Sequence, residues 1–307
     1  MAVVIVPFKI GWKGRIKMLD YTDFKKMILM RLKSALPYDR IQTEEKIVYK
    51  VNLSLEAIVL KIREDDDGVT TGQVHYLEKL YENYRNGRSI DELVHMILTL
   101  TEQAKETKGI LDGCLSFEAC KDKILAQVIH REKNSELLKR YVHRDVLDLA
   151  LIYRIVLTNT KEGFESTIIS NEMLRGWNIS EEELYKTALK NTQDNPYIIR
   201  NLQKDILKMK TENEPSMYVL SRAAKFGASA IAYPEEIQKA ESLFKDSFFI
   251  LPSSQHDLLF VPYEASAVDQ IKEMVREVNS NAVEIEDYLS DSVYYYDINT
   301  REIKVAA

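Results

Sequence analysis

The stretch "ILPSSQHDLLFVP" at 250–262 places Ser253, Ser254, His256 and Asp257 between two apolar runs. These are the residue types of hydrolytic chemistry: a hydroxyl nucleophile, an imidazole base and a carboxylate to orient the base. The set works only when base and nucleophile face each other at hydrogen-bonding distance with oxyanion donors nearby. Side chains two or three apart in a tight turn rarely meet that condition. No Gly-x-Ser-x-Gly elbow lifts either serine onto a strained turn. The spacing therefore favours a polar turn between two strands, its hydroxyls and imidazole satisfying backbone groups. A hydrolase built on Ser254, His256 and Asp257, with Asn171 or Glu172 from a neighbouring strand end, is the alternative.

Other candidates bind rather than react. Asn171 and Glu172 in "NEML" are expected to end a strand and to present polar groups at a sheet end, where Ser253 would join them. In "VYYYD" at 293–297, Tyr294 and Tyr296 fall on one face of a strand and Tyr295 on the other. Tyrosine combines large buried area with a polar tip, so the pair suits a binding surface or the core. His75, His95, His130 and His143 form no paired metal-ligand spacing, and no metal site is expected. "HRD" at 143–145 lacks the other parts of a kinase catalytic loop. Without a Gly-x-Gly-x-x-Gly or Walker sequence, and with only ten glycines, the chain is expected to hold no cofactor.

Composition bounds the class. The 307 residues suffice for two domains, and 45% hydrophobic with 29% charged residues is the balance of a soluble globular protein. The net charge of −6 comes from 48 acidic and 42 basic residues that intersperse, so direct nucleic-acid binding is not favoured. A basic face built from "KGRIK" and "DFKKMILMRLK" is the exception to test. "REDDDG" at 63–68 lacks calcium-loop spacing and reads as a solvated hairpin turn. Cys114 and Cys120 make neither a disulfide framework nor a zinc quartet, which points to a reducing cytoplasm. The apolar stretch that opens the chain ends at Pro7, too short to export or to span a bilayer. Residues 1–17 are expected to be an extension, or a short strand, ahead of an alternative start at Met18.

Periodicity supplies the frame. Phe24, Ile28 and Leu32 predict a helix at about 22–35, closed by Pro37, and "KIVYKVNLSLEAIVLKI" two strands with a turn at Asn52–Ser54. Val74, Leu77, Leu80, Tyr81 and Tyr84 run at helical spacing to Gly87, and the capping box "SIDE" at 89–92 opens a second helix, so the two form a hairpin. A domain boundary is placed at "KGILDGCLS", 108–116, giving domains 18–112 and 113–307. Helix is then expected over 117–141, followed by a hairpin over 146–170 turning at "NTKEG". Further hairpins pair "MYVLS" with "ASAIAY", "FFILPSS" with "DLLFVP", and "SVYYYD" with "REIKV", with helices "SEEE…", "PEEIQKAESLF" and "VDQIKEMVREVN" between them. Repeated hairpin-plus-helix units imply an α+β protein, a largely antiparallel sheet with helices on one face, preceded by a smaller α+β portion with the helical hairpin.

The blocks "YLEKLYENYRNGRSIDELV", "LLKRYVHRDVLDLALIYRIVL", "TIISNEMLRGWNISEEELYKTALKNT", "MYVLS…FGASAIAYPE", "FFILPSSQHDLLFVP" and "LSDSVYYYD", in this order, resemble a bacterial family known only as a domain of unknown function. The resemblance runs from about Met18 and implies no activity, cofactor or catalytic residue. Where the family pattern commonly carries Glu after the histidine, this chain has Asp257. The resulting expectation is a soluble cytoplasmic interaction protein, its partner another protein, with no membrane and the oligomeric state open. It would serve as an accessory factor of a bacterial or mobile-element system.

Overall fold

The computed structural model describes residues 18–36, 41–63, 70–104, 116–160, 163–209, 216–223 and 225–306. The N-terminal extension, most of "REDDDG", the boundary at 108–115 with Cys114, and part of "NTKEG" lie outside the described residues. The chain divides into two compact units, one comprising Met1–Val48 with Leu55–Glu106, the other Tyr49–Ser54 with Thr107–Ala307.

In the first unit, α1 (Tyr21–Ala35) starts where Asp20 accepts the Asp23 N–H at 2.9 Å and stops at Leu36. Leu36 is extended, as a residue before proline must be. Phe24, Ile28 and Leu32 recur every fourth position and are wholly buried. They pack with Leu77 and Leu80 of α2 (Leu77–Arg85), and with Leu93 and Ile97 of α3 (Ile90–Ala104). The expected capping box is present: Ser89 Oγ accepts Glu92 N–H at 3.2 Å while Glu92 Oε2 accepts Ser89 N–H at 2.7 Å. A three-stranded sheet, β1 (Ile41–Lys50), β2 (Leu53–Arg63) and β3 (Thr70–Tyr76), completes the unit, except that the β1–β2 turn belongs to the second unit.

Two antiparallel sheets build the second unit. In the smaller one, β4 (Ile124–His130), β5 (His143–Val146) and β7 (Phe164–Ile168) all pair with the long strand β6 (Leu149–Asn159). The larger has the order β13-β12-β10-β11-β9-β8, from β8 (Tyr197–Asn201), β9 (Tyr218–Arg222), β10 (Phe248–Leu251), β11 (Leu258–Pro262), β12 (Tyr294–Asp297) and β13 (Glu302–Val305). One large core joins them, with Val128, Leu151 and Tyr153 from the smaller sheet meeting Phe248, Phe260, Tyr294 and Tyr296 from the larger. The class is therefore α+β with antiparallel sheets, as the patterning predicts. No helix among the described residues is long and apolar enough to cross a membrane.

Four local expectations are corrected. Val74, expected at helical spacing with Leu77, lies in β3 opposite Val59, and the helix begins only at Leu77. The helix expected over 117–141 is broken: β4 occupies 124–130, flanked by short helices Phe117–Cys120 and Ser135–Leu138. Ile124, Leu125, Val128 and Ile129 mimic helical spacing because β4 is buried on both faces, which erases the two-residue alternation. "NEML" does not end a strand; it opens the helix Asn171–Trp177, with Ser170 as its N-cap. "ASAIAY" is no strand, because Gly227–Ala232 is a fully buried 3-10 turn whose small side chains let it pack inside. The partner of β9 is instead β8, an edge strand of alternating burial.

Gly227 cannot carry a side chain. A Cβ there would overlap the carbonyl oxygen of His256 and come within 2.9 Å of the Arg222 nitrogen. Both obstacles are backbone, so neither can swing aside. Gly227→Ala is expected to lose about 3 kcal/mol or more in urea unfolding. A variant melting with the parent would show that the β10–β11 turn can shift away from residue 227.

Candidate functional site

The β10–β11 turn is closed by its own side chains. The Ser253 N–H donates to Leu251 O at 3.0 Å and its hydroxyl to Asp257 O at 3.1 Å, while Ser254 Oγ accepts the His256 N–H at 3.0 Å. Serines in turns favour such local bonds to backbone. Ser254 thus meets the amide of His256 and not its ring.

His256 is held from two distant segments. Its Nδ1 accepts the Phe226 N–H at 3.2 Å, so the neutral ring carries its proton on Nε2, 3.4 Å from Asp287 Oδ1. The ring also stacks on Phe226, centroids 5.7 Å apart, and Phe226 itself sits at φ 69°, an uncommon conformation for a large side chain. A general base needs a ring lone pair free to face the nucleophile. Here that lone pair is occupied by an amide. Burial pushes the Asp257 carboxyl above its ordinary range, against the opposing charges of His256 and Arg200.

Gln255 connects this turn to the smaller sheet. Arg154 Nη1 donates to Gln127 Oε1 at 3.0 Å, Gln127 Nε2 donates to Gln255 Oε1, and Gln255 Nε2 donates to Asp287 Oδ1 at 2.6 Å. Arg154 is further tied to Ser166 through Nε at 2.8 Å and lies over the Phe226 ring at 5.7 Å. Desolvation pushes its guanidinium down to about 10, which leaves it charged at neutral pH. It has no carboxylate partner among the described residues; its positive charge is met by amide dipoles.

Asn171 and Glu172 stand elsewhere. Asn171 bonds through its N–H to Arg140 O at 3.0 Å and through Nδ2 to Lys139 O at 3.3 Å. Neither shares a hydrogen bond with Ser253–Asp257 among the described residues. Tyr294 and Tyr296 do share a face, both fully buried, and each hydroxyl reaches a carboxylate: Tyr296 to Glu241 at 2.5 Å and Tyr294 to Asp148 at 2.5 Å.

Asp148 is a second polar centre. Its Oδ2 accepts the hydroxyls of Ser290 at 2.7 Å and Ser292 at 2.8 Å, and its Oδ1 that of Tyr294. Burial would raise this carboxyl, but the Tyr294, Ser290 and Ser292 hydroxyls outweigh it and hold it below the ordinary range. Asp148 follows Leu147, at φ 57°, in the two-residue turn between β5 and β6. Beside it opens a cavity of about 320 Å³ whose lining includes His130, Lys272, Arg276, Tyr288 and Asp291. No group of three or more His, Cys, Asp or Glu among the described residues is placed to hold a metal ion.

Sequence reasoning passed over Arg154, Gln127, Gln255, Asp287 and Asp148. A signal existed for two of them: Arg154 and Gln127 interrupt the apolar runs "LALIYRIVL" and "ILAQVIH", where a polar residue is uncommon unless it is bonded. Ser290, Ser292 and Tyr294 recur at every second position, the spacing that sets all three toward Asp148.

A family model described as a family of unknown function, DUF5688, matches residues 21–298. No curated protein and no solved structure matches the chain.

His256→Ala removes the acceptor of a backbone amide and a partner of Asp287, and is expected to lower stability by about 1–3 kcal/mol. Ser254→Ala should lower it by less, because water can replace a hydroxyl on a turn. Equal melting of the two variants would contradict this ranking. Asp148 gives a pH test. Its folded pKa is depressed, so its contribution is complete above the unfolded value of about 3.9 and fades as pH falls through the lower folded value. The stability gap between the parent and Asp148→Asn should accordingly narrow from pH 5 towards pH 2 in chemical unfolding. A gap independent of pH would refute the assignment.

Proposed function

The chain belongs to the DUF5688 family of unknown function, and we propose that it is a cytoplasmic binding protein that engages another protein, as an accessory factor of a bacterial or mobile-element system. The observation supporting this reading over a hydrolase is the engagement of the candidate nucleophiles and base. Both serine hydroxyls bond to the backbone of their own turn, and the imidazole lone pair is taken by the Phe226 amide. Acyl transfer requires a nucleophile paired with a free base, and the turn offers none in this conformation. The interspersed charge of −6 favours a protein partner over the phosphates of a nucleic acid.

The test joins capture and turnover. Tagged full-length chain, cross-linked in native bacterial lysate, is expected to retain a protein partner with little nucleic acid. Purified parent protein is expected to leave ester, amide and phosphoester substrates at their buffer hydrolysis rates. Turnover that vanishes in a normally melting His256→Ala variant would overturn the reading in favour of the hydrolase.

A further inference from the structure

We propose that the cavity beside Asp148 is a binding site for a small oxyanion, a phosphate- or carboxylate-bearing molecule seated against Lys272, Arg276 and His130. The site goes beyond the protein-binding role above and does not depend on it. Its volume of about 320 Å³ suits a small molecule.

The inventory of unmet hydrogen-bonding groups identifies the ligand. The two carboxylates of the lining are already served by neutral donors. Asp148 takes the three hydroxyls of Ser290, Ser292 and Tyr294, and Asp291 Oδ1 accepts Asn279 Nδ2 at 2.7 Å. The Tyr288 hydroxyl also bonds to Asp291. The cations are not served. Lys272 and Arg276 stand one turn apart on the helix Val268–Ala282, which sets them on a common face. Neither side chain has an ion pair or a hydrogen bond among the described residues.

His130 completes the pattern. Its Nδ1 accepts the Lys133 N–H at 3.2 Å, so the neutral ring presents N–H at Nε2. Burial holds this imidazole below its ordinary pKa, with Asp148 opposing, which keeps the ring neutral near pH 7. Tyr288 stacks on it at 5.8 Å and is itself covered by Lys133 Nζ at 3.4 Å, so the ring is fixed in place. The unmet groups of the lining are therefore donors, and two carry positive charge. A complementary ligand brings acceptors and negative charge, which pair with an ammonium and a guanidinium that otherwise face only water.

Amide shifts of ¹⁵N-labelled full-length protein, titrated in separate series with inorganic phosphate, phenyl phosphate and acetate at matched ionic strength in chloride, test the site. At least one probe is expected to give saturable shifts at Lys272–Arg276, His130–Lys133 and Tyr288–Ser292, and the tighter class separates phosphate from carboxylate. The double variant Lys272→Met, Arg276→Met should bind at least about tenfold more weakly, the factor implied by losing one charge-assisted hydrogen bond. Glu273→Gln, exposed on the same helix, should bind as the parent does. If the double variant melts early, Lys272→Gln alone carries the comparison. Absence of saturable shifts with all three probes, equal shifts with chloride, or full affinity in a folded Lys272/Arg276 variant would overturn the proposal.

Discussion

One directed chain of hydrogen bonds organises the polar centre of the second unit: Arg154 to Gln127, Gln127 to Gln255, Gln255 to Asp287. Every link donates in the same sense, from the cation to the anion, so each amide dipole is aligned by its neighbours. Turning either glutamine over would set donor against donor at one end and acceptor against acceptor at the other. Gln127 is 2% exposed and Gln255 9%, so little solvent is at hand to repair such a mismatch. Gln255 is thereby fixed, and His256, its neighbour in the chain, is fixed with it against Phe226. The close passage of Gly227 under the His256 carbonyl follows from that placement.

The elements that sequence patterning captures are those whose determinants are local. The Ser89–Glu92 capping box, the four-residue repeat of Phe24, Ile28 and Leu32, and the alternation of Tyr294, Tyr295 and Tyr296 each declare themselves within a few positions. Where the environment is the same on every side, the period disappears. β4 is buried on both faces and reads as a helix, and Gly227–Ala232, enclosed by its surroundings, reads as a strand. β8 goes unrecognised because an edge strand has only one neighbour to satisfy and keeps polar residues among its apolar ones.

The candidate site was legible only in residue types. "PSSQHD" announces a polar turn, and the serines behave as local turn residues do. The partners that decide the chemistry are distant: Phe226 lies 30 positions from His256, and Gln127 lies 128 from Gln255. Asp148, likewise, meets Ser290, Ser292 and Tyr294 across more than 140 positions. Only folding assembles these groups. An imidazole in sequence is equally a base or a hydrogen-bond acceptor, and the neighbour that takes its lone pair decides between them.

The β1–β2 turn carries a different kind of consequence. Asn52, at φ 60°, donates through Nδ2 to Ile285 O at 2.9 Å and Tyr288 O at 2.7 Å and exchanges bonds with Asn134. Residues 49–54 thus belong with a unit whose remainder begins more than fifty positions later, and the chain passes between units three times. Neither unit is a contiguous stretch of gene. A recombination event with one crossover point cannot separate the units cleanly: any segment that keeps one whole carries residues of the other with it.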